Sequence, residues 1–69
     1  MLEFTKFSMG FSFADGKINT YAICENSHNR RERYYYLIVN GIKQNTRAEL
    51  NTCVILANQI EAGKIEVKE

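Results

Sequence analysis

The sequence predicts a small α+β domain, in which an antiparallel sheet of two β-hairpins packs against one helix and a short last strand closes the chain. Three observations carry this prediction. Apolar residues alternate with polar ones from Phe7 to Phe13, Asp15-Gly16 and Asn40-Gly41 are hairpin turn signals, and Thr46-Arg47-Ala48-Glu49 has the form of a capping box ahead of an apolar run. The predicted order is β-β-β-β-α-β, spanning residues 1–69 as one domain.

Phe7, Met9, Phe11 and Phe13 share one phase of a period-two pattern, with Ser8, Gly10 and Ser12 on the other. Leu2 and Phe4 lie on the opposite phase, so the strand either begins late or carries a bulge near Thr5 and Lys6. A two-residue turn at Asp15-Gly16 pairs Phe13 with Ile18, Phe11 with Thr20, Met9 with Ala22 and Phe7 with Cys24. This register sets Tyr21 across from Gly10 and turns the phenylalanines toward the core. The expected core is Phe7, Phe11, Leu50, Cys53 and Ala57.

The polar stretch 25–32 breaks the pattern before a third strand, Arg33 to Val39. Both of its faces are apolar enough to be buried, so periodicity leaves open which one meets the helix. Pairing across Asn40-Gly41 sets Val39 against Ile42 and favours Tyr35, Leu37 and Val39. The capping box starts a helix running from about Arg47 to Ala62, with Gly63 at the position where a left-handed residue ends a helix. Ile65 and Val67 alternate with charges as the last strand.

At 69 residues, a folded chain buries only about 60% of the surface its unfolded form exposes, so this domain is marginal and would gain from a partner. Two cysteines, Cys24 and Cys53, are too few for the disulfide framework of a small secreted protein. They read as reduced core thiols of a cytoplasmic protein. The uncharged run from Leu50 to Ile60 is too short to span a bilayer, so no membrane association is expected. Nine basic residues against eight acidic ones create no global field for nucleic acid or anionic lipid.

Chemistry has little to work with. Cys24, His28 and Cys53 fall one ligand short of a closed zinc site. No nucleophile has a base oriented by a third group, and no glycine-rich phosphate loop is present. The chain is read as a non-enzyme without cofactors.

Two surfaces remain as candidates for binding. One side of the predicted helix carries Asn51, Ile55 and Gln59 with no charge between Glu49 and Glu61, where an exposed helix normally shows Lys and Glu. The other is the segment from Asn29 to Tyr36, where Arg30, Arg31 and Arg33 stand beside Tyr34 and Tyr36. Arginine binds phosphate bidentately and tyrosine stacks on bases, and both also serve protein interfaces. From Ile18 to Gly63, the order of a small antiparallel sheet followed by a helix resembles the arm-binding domains of phage-type tyrosine integrases. That resemblance implies a sheet that reads the major groove. Those domains are basic along their strands, whereas here Glu25 and Glu32 flank the arginines and 37–39 is apolar.

A short chain without catalytic equipment acts by occupying a surface on something larger. Its richness in Asn, Ile, Lys, Tyr and Phe, without proline, fits AT-rich coding DNA of the kind found in phages and mobile elements. The leading expectation is a small protein-binding module, an inhibitor or modulator encoded by such an element. The alternatives are a nucleic-acid-binding accessory domain using Arg30 to Tyr36, and a structural subunit that assembles with copies of itself, as in a homodimer.

Overall fold

Strands β1 (Thr5–Ser8), β2 (Phe11–Asp15), β3 (Thr20–Asn29), β4 (Glu32–Val39) and β5 (Ile42–Lys43) form one antiparallel sheet in sequence order, followed by helix α1 (Leu50–Glu61). The α+β architecture read from the sequence is the one observed. A computed structural model describes residues 2–8, 10–29, 32–45 and 47–68, with the side chains of 26–29 and 32 outside the description. Met9, Arg30, Arg31 and Thr46 therefore lie outside the described residues.

The strongest local signals behave as expected. Asn40 and Gly41 both have positive φ, 53° and 84°, as a type I′ turn requires, and Val39 pairs with Ile42 across it. That pairing sets the phase of β4, and Leu37 and Val39 are fully buried beneath α1. At the other end of the helix, the Gly63 amide bonds Ile60 O at 3.0 Å and the Lys64 amide bonds Gln59 O at 2.9 Å. With Gly63 at φ 77°, this is a Schellman motif.

The first segment departs from the expectation. Residues 5–15 are a hairpin rather than one strand, because the chain reverses between Ser8 and Phe11, where Gly10 has φ 77°. Phe7 is the extra residue of a bulge between Lys6 and Ser8. Asp15-Gly16 opens a four-residue connection, closed by Gly16 N to Asn19 O at 2.8 Å, and leaves Ile18 almost wholly exposed. The register slides by four residues, so Phe13 pairs with Ala22 and Phe11 with Cys24, while Tyr21 pairs with Ala14.

A four-residue slide preserves the phase, yet the inner face is the opposite one. Tyr21, Ile23, Leu37 and Val39 form the core with Ala14, Cys53, Ala57, Ile60 and Leu2. Of the expected core, Cys53 and Ala57 are buried; Phe7 is 73% exposed, Leu50 43%, and Phe11 half-buried. The cause is propagation from the turn at 40–41. Once β4 presents Leu37 and Val39 to the helix, cross-strand pairs Tyr21↔Val39 and Ile23↔Leu37 put the same phase of β3 inside, and β2 follows with Ala14. The phenylalanines are left on the other face.

Helix α1 is shorter than the capping signal suggests. Its N-cap is Glu49, which makes no side-chain cap bond. Ala48 instead exchanges backbone hydrogen bonds with Tyr35 at 2.8 and 3.0 Å, so the segment before the helix is held to β4 as a bridge. The last segment is an irregular tail rather than a ladder strand. Gln44 clamps it with its side-chain amide, accepting from Lys68 N at 2.8 Å and donating to Lys68 O and Ile42 O at 3.0 Å each. The N-terminal segment lies on the helix side too, with the Leu2 amide donating to Asn58 Oδ1 at 2.8 Å.

Candidate functional site: the open face of the sheet

Among the described residues, one helix and two terminal segments cover the inner side of the sheet, and no element covers the outer side. Its relief follows from strand alternation. Phe7, Phe11 and Phe13 form one ridge on β1 and β2, where the Phe7 ring meets Phe11 at 6.1 Å and Phe13 at 5.9 Å, edge to face in both cases. The bulge at Phe7 is what brings that ring onto this side. β3 presents its small residues Ala22 and Cys24, and β4 raises a second ridge of Tyr34, Tyr36 and Ile38.

Among the described residues, two cations sit on the aromatic margin of this face. Lys43 Nζ lies 4.5 Å above the Tyr36 ring and the Arg47 guanidinium 3.8 Å above the Tyr34 ring. Across the β3–β4 pair, the Cys24 thiol beside Tyr36 raises the phenol above its ordinary value, and burial adds to the shift. Asp15, at the end of β2, is on the same phase as Phe11 and Phe13.

The structure divides the residues that the sequence singled out. Tyr34 and Tyr36 belong to the open face. Arg33 has the phase of Tyr35 and Leu37, so it stands on the helix side, 3.7 Å from Glu25 Oε1, where it borders a small cavity of about 200 Å³ with Lys6, Glu25 and Tyr35. Arg30 and Arg31 lie outside the described residues. Asn51, Ile55 and Gln59 are on the outer side of α1, across the molecule from the tyrosines. There Ile55 is 57% exposed, in a shallow depression of about 530 Å³ bordered by Lys17, Asn58, Gln59, Glu61, Ala62 and Lys64. Tyr34 and Tyr36 and the uncharged helix side are therefore not one surface.

Phe7, Phe11, Phe13, Ala22 and Cys24 were missed as surface residues because their apolarity reads as core, whereas Ile38 stands on the outer side, as the pairing across Asn40-Gly41 favoured. The usable signal was the turn at 40–41, from which the phase of the whole sheet follows. Cys24 faces outward and Cys53 lies in the core on the other side of the sheet, so the two thiols cannot share a ligand. Among the described residues, no three His, Cys, Asp or Glu side chains converge on a metal position, and no helix is long and apolar enough to cross a membrane.

These features define a half-covered α+β domain with an aromatic, open sheet face. Comparison with protein-family models, with curated proteins and with solved structures finds no match to this chain.

Proposed function

We propose that this chain is a small, non-enzymatic protein-binding module and that the open face of its sheet is the contact surface. One observation carries the reading: Phe7 is 73% exposed and packs edge to face on Phe11 and Phe13, on a sheet face that no element among the described residues covers. A lone surface phenylalanine is ordinary, but a contiguous apolar patch rimmed by polar residues marks an interaction site. An inhibitor or modulator encoded by a phage or mobile element, working in the cytoplasm, is the kind of protein such a surface suits.

A nucleic-acid reading draws on Lys43 over Tyr36 and Arg47 over Tyr34, since cations beside aromatic rings also suit a single strand. Charge favours protein. The ridge and the lane beside it are uncharged, and the whole chain is only +1.

Capture from a cell extract tests the reading with three baits: wild type, Phe7→Asp and Ile55→Lys. The expected result is a partner retained by wild type and by Ile55→Lys, and lost from Phe7→Asp without loss of fold. Partners lost only from Ile55→Lys would move the contact to the helix. Binding that falls steeply with salt, by roughly 0.7–0.9 decades per decade of salt for each phosphate neutralised, would favour nucleic acid.

A further inference from the structure

We propose that the depression beside α1 binds a small organic acid, with the apolar body of the ligand on Ile55 and its carboxylate between Lys17 and Lys64. This site is separate from the open sheet face and goes beyond the contact proposed there.

Helix spacing builds the floor. Asn58, Gln59 and Ala62 follow Ile55 at the intervals that bring residues onto one stripe, and that stripe lies opposite the buried Cys53, Ala57 and Ile60. Ile55, 57% exposed, is its apolar centre. Lys17, from the connection between β2 and β3, borders the depression on one side, and Lys64 borders it at the helix end, just past the turn at Gly63.

The hydrogen bonds around the depression set the sign of its ligand. Both oxygens of Glu61 are engaged, accepting from the Lys17 amide and the Tyr21 hydroxyl at 2.9 Å each. Asn58 is engaged at both ends of its amide, accepting from Leu2 N at 2.8 Å and donating to Val54 O at 2.9 Å. The carbonyls of Asn58, Gln59 and Ile60 accept from the amides of Ala62, Lys64 and Gly63. The acceptors of the site are therefore filled. What remains among the described residues is the ammonium groups of Lys17 and Lys64 and the side-chain amide of Gln59, none of them in a hydrogen bond or ion pair with the protein. A lysine can only donate, and Gln59 can turn its NH2 toward the same point. Two ammoniums beside one engaged carboxylate also leave a local excess of positive charge, which favours an anion.

Size sets the class. The volume of about 530 Å³ falls within the range of a site for one small molecule, roughly 300–1,000 Å³, in which an apolar wall and a few placed polar groups share the work of recognition. A single exposed isoleucine is too little for the apolar centre of a protein interface. An unbranched acid satisfies both halves of the site, laying hydrocarbon along the stripe and oxygen against the donors. The depression is shallow, so binding is weak and readily reversible.

Octanoate is the probe, with octylammonium as its counterpart of the same chain length and opposite charge. The isotopically labelled full-length chain is titrated with each, to about 10 mM, and followed by nuclear magnetic resonance. Expected are saturable shifts at the Ile55 methyls and the Gln59 side-chain amide with octanoate, a Kd on the order of 1 mM, and at least about tenfold weaker binding of octylammonium. Ile55→Asp should abolish octanoate binding. Lys17→Glu and Lys64→Glu, made together, should reverse the preference between the two probes. These variants alter separate parts of the site, so if one misfolds the other still decides. Phe7→Asp should bind octanoate like wild type, which separates this site from the open sheet face. Absence of a saturable shift at about 10 mM overturns the inference, as do shifts at Phe13 and Ala22 in place of Ile55, octylammonium binding as well as octanoate, or binding that survives both variants. Acetyl-leucyl-leucine, which carries the same carboxylate on a peptide body, should bind no better than octanoate; binding about tenfold tighter would assign the site to a peptide C-terminus and overturn the small acid.

Discussion

The hydroxyl of Tyr21 donates to Glu61 Oε1 at 2.9 Å, and the Lys17 amide donates to the other oxygen of that carboxylate, also at 2.9 Å. An acid in the last turn of a helix opposes the helix dipole, so Glu61 is placed for these bonds and not for the helix. It ties the end of α1 to the connection between β2 and β3.

Gly16 makes that tie possible, since a Cβ there would land on the Glu61 carboxylate. Gly16→Ala and Glu61→Ala should each cost about 1–3 kcal/mol, by displacing or deleting the acceptor. In the double variant the clash has no target. The combined loss in denaturant melts should be smaller than the sum of the two, and strict additivity would show that the residues do not act together.

The core prediction follows from which phase faces the helix. Leu37 is fully buried, so Leu37→Ala should cost about 2–5 kcal/mol, a large share of the stability of a domain this size. Phe7→Ala should change the stability of dilute monomer by less than about 1 kcal/mol. The opposite ranking would put the phenylalanine ridge inside.

Stability should decline in alkali. Burial pushes the Cys53 thiol above its ordinary value of 9.0, with Asn45 pulling slightly the other way. Burial also raises Tyr21 above 10.0; its bond with Asn19 lowers the value and Glu61 raises it. A group whose folded pKa is raised contributes stability that is fully present below its unfolded pKa and lost as pH rises through the folded one. Chemical melts from pH 7 to pH 11 should therefore show a loss that begins near pH 9 and steepens beyond pH 10. Cys53→Ala should remove the early part of the slope and Tyr21→Phe the later part. A flat profile in wild type would contradict both.

Gln44 is the buried polar residue that holds the tail. Gln44→Leu keeps the apolar surroundings filled and deletes the bonds to Lys68 and Ile42. A loss of about 1–2 kcal/mol is expected. Amide exchange at Lys68 should become fast while that of Leu37 stays slow, and a tail that remains protected would mean Val67 holds it alone.

Local chemistry alone determined the elements whose signals need no partner. Asn40-Gly41 accepts positive φ at two successive residues, and Gly63 accepts it at a helix end, so the β4–β5 turn and the end of α1 were legible in the sequence. Of the helix positions expected in the core, Cys53 and Ala57 were legible from their spacing, while Leu50, in the first turn, is left exposed. Tertiary structure decided the rest. Phe11 and Ile23 are both apolar, and nothing local says which of two apolar phases a single helix will cover. That choice was made by cross-strand pairing, which carried the phase of Val39 into Tyr21 and then Ala14. The capping box was overridden in the same way: pairing with Tyr35 drew Ala48 out of the helix, since two backbone hydrogen bonds to a sheet edge outweigh one further turn at a fraying end. The open face exists because the described residues hold one helix for a sheet whose two sides are both apolar.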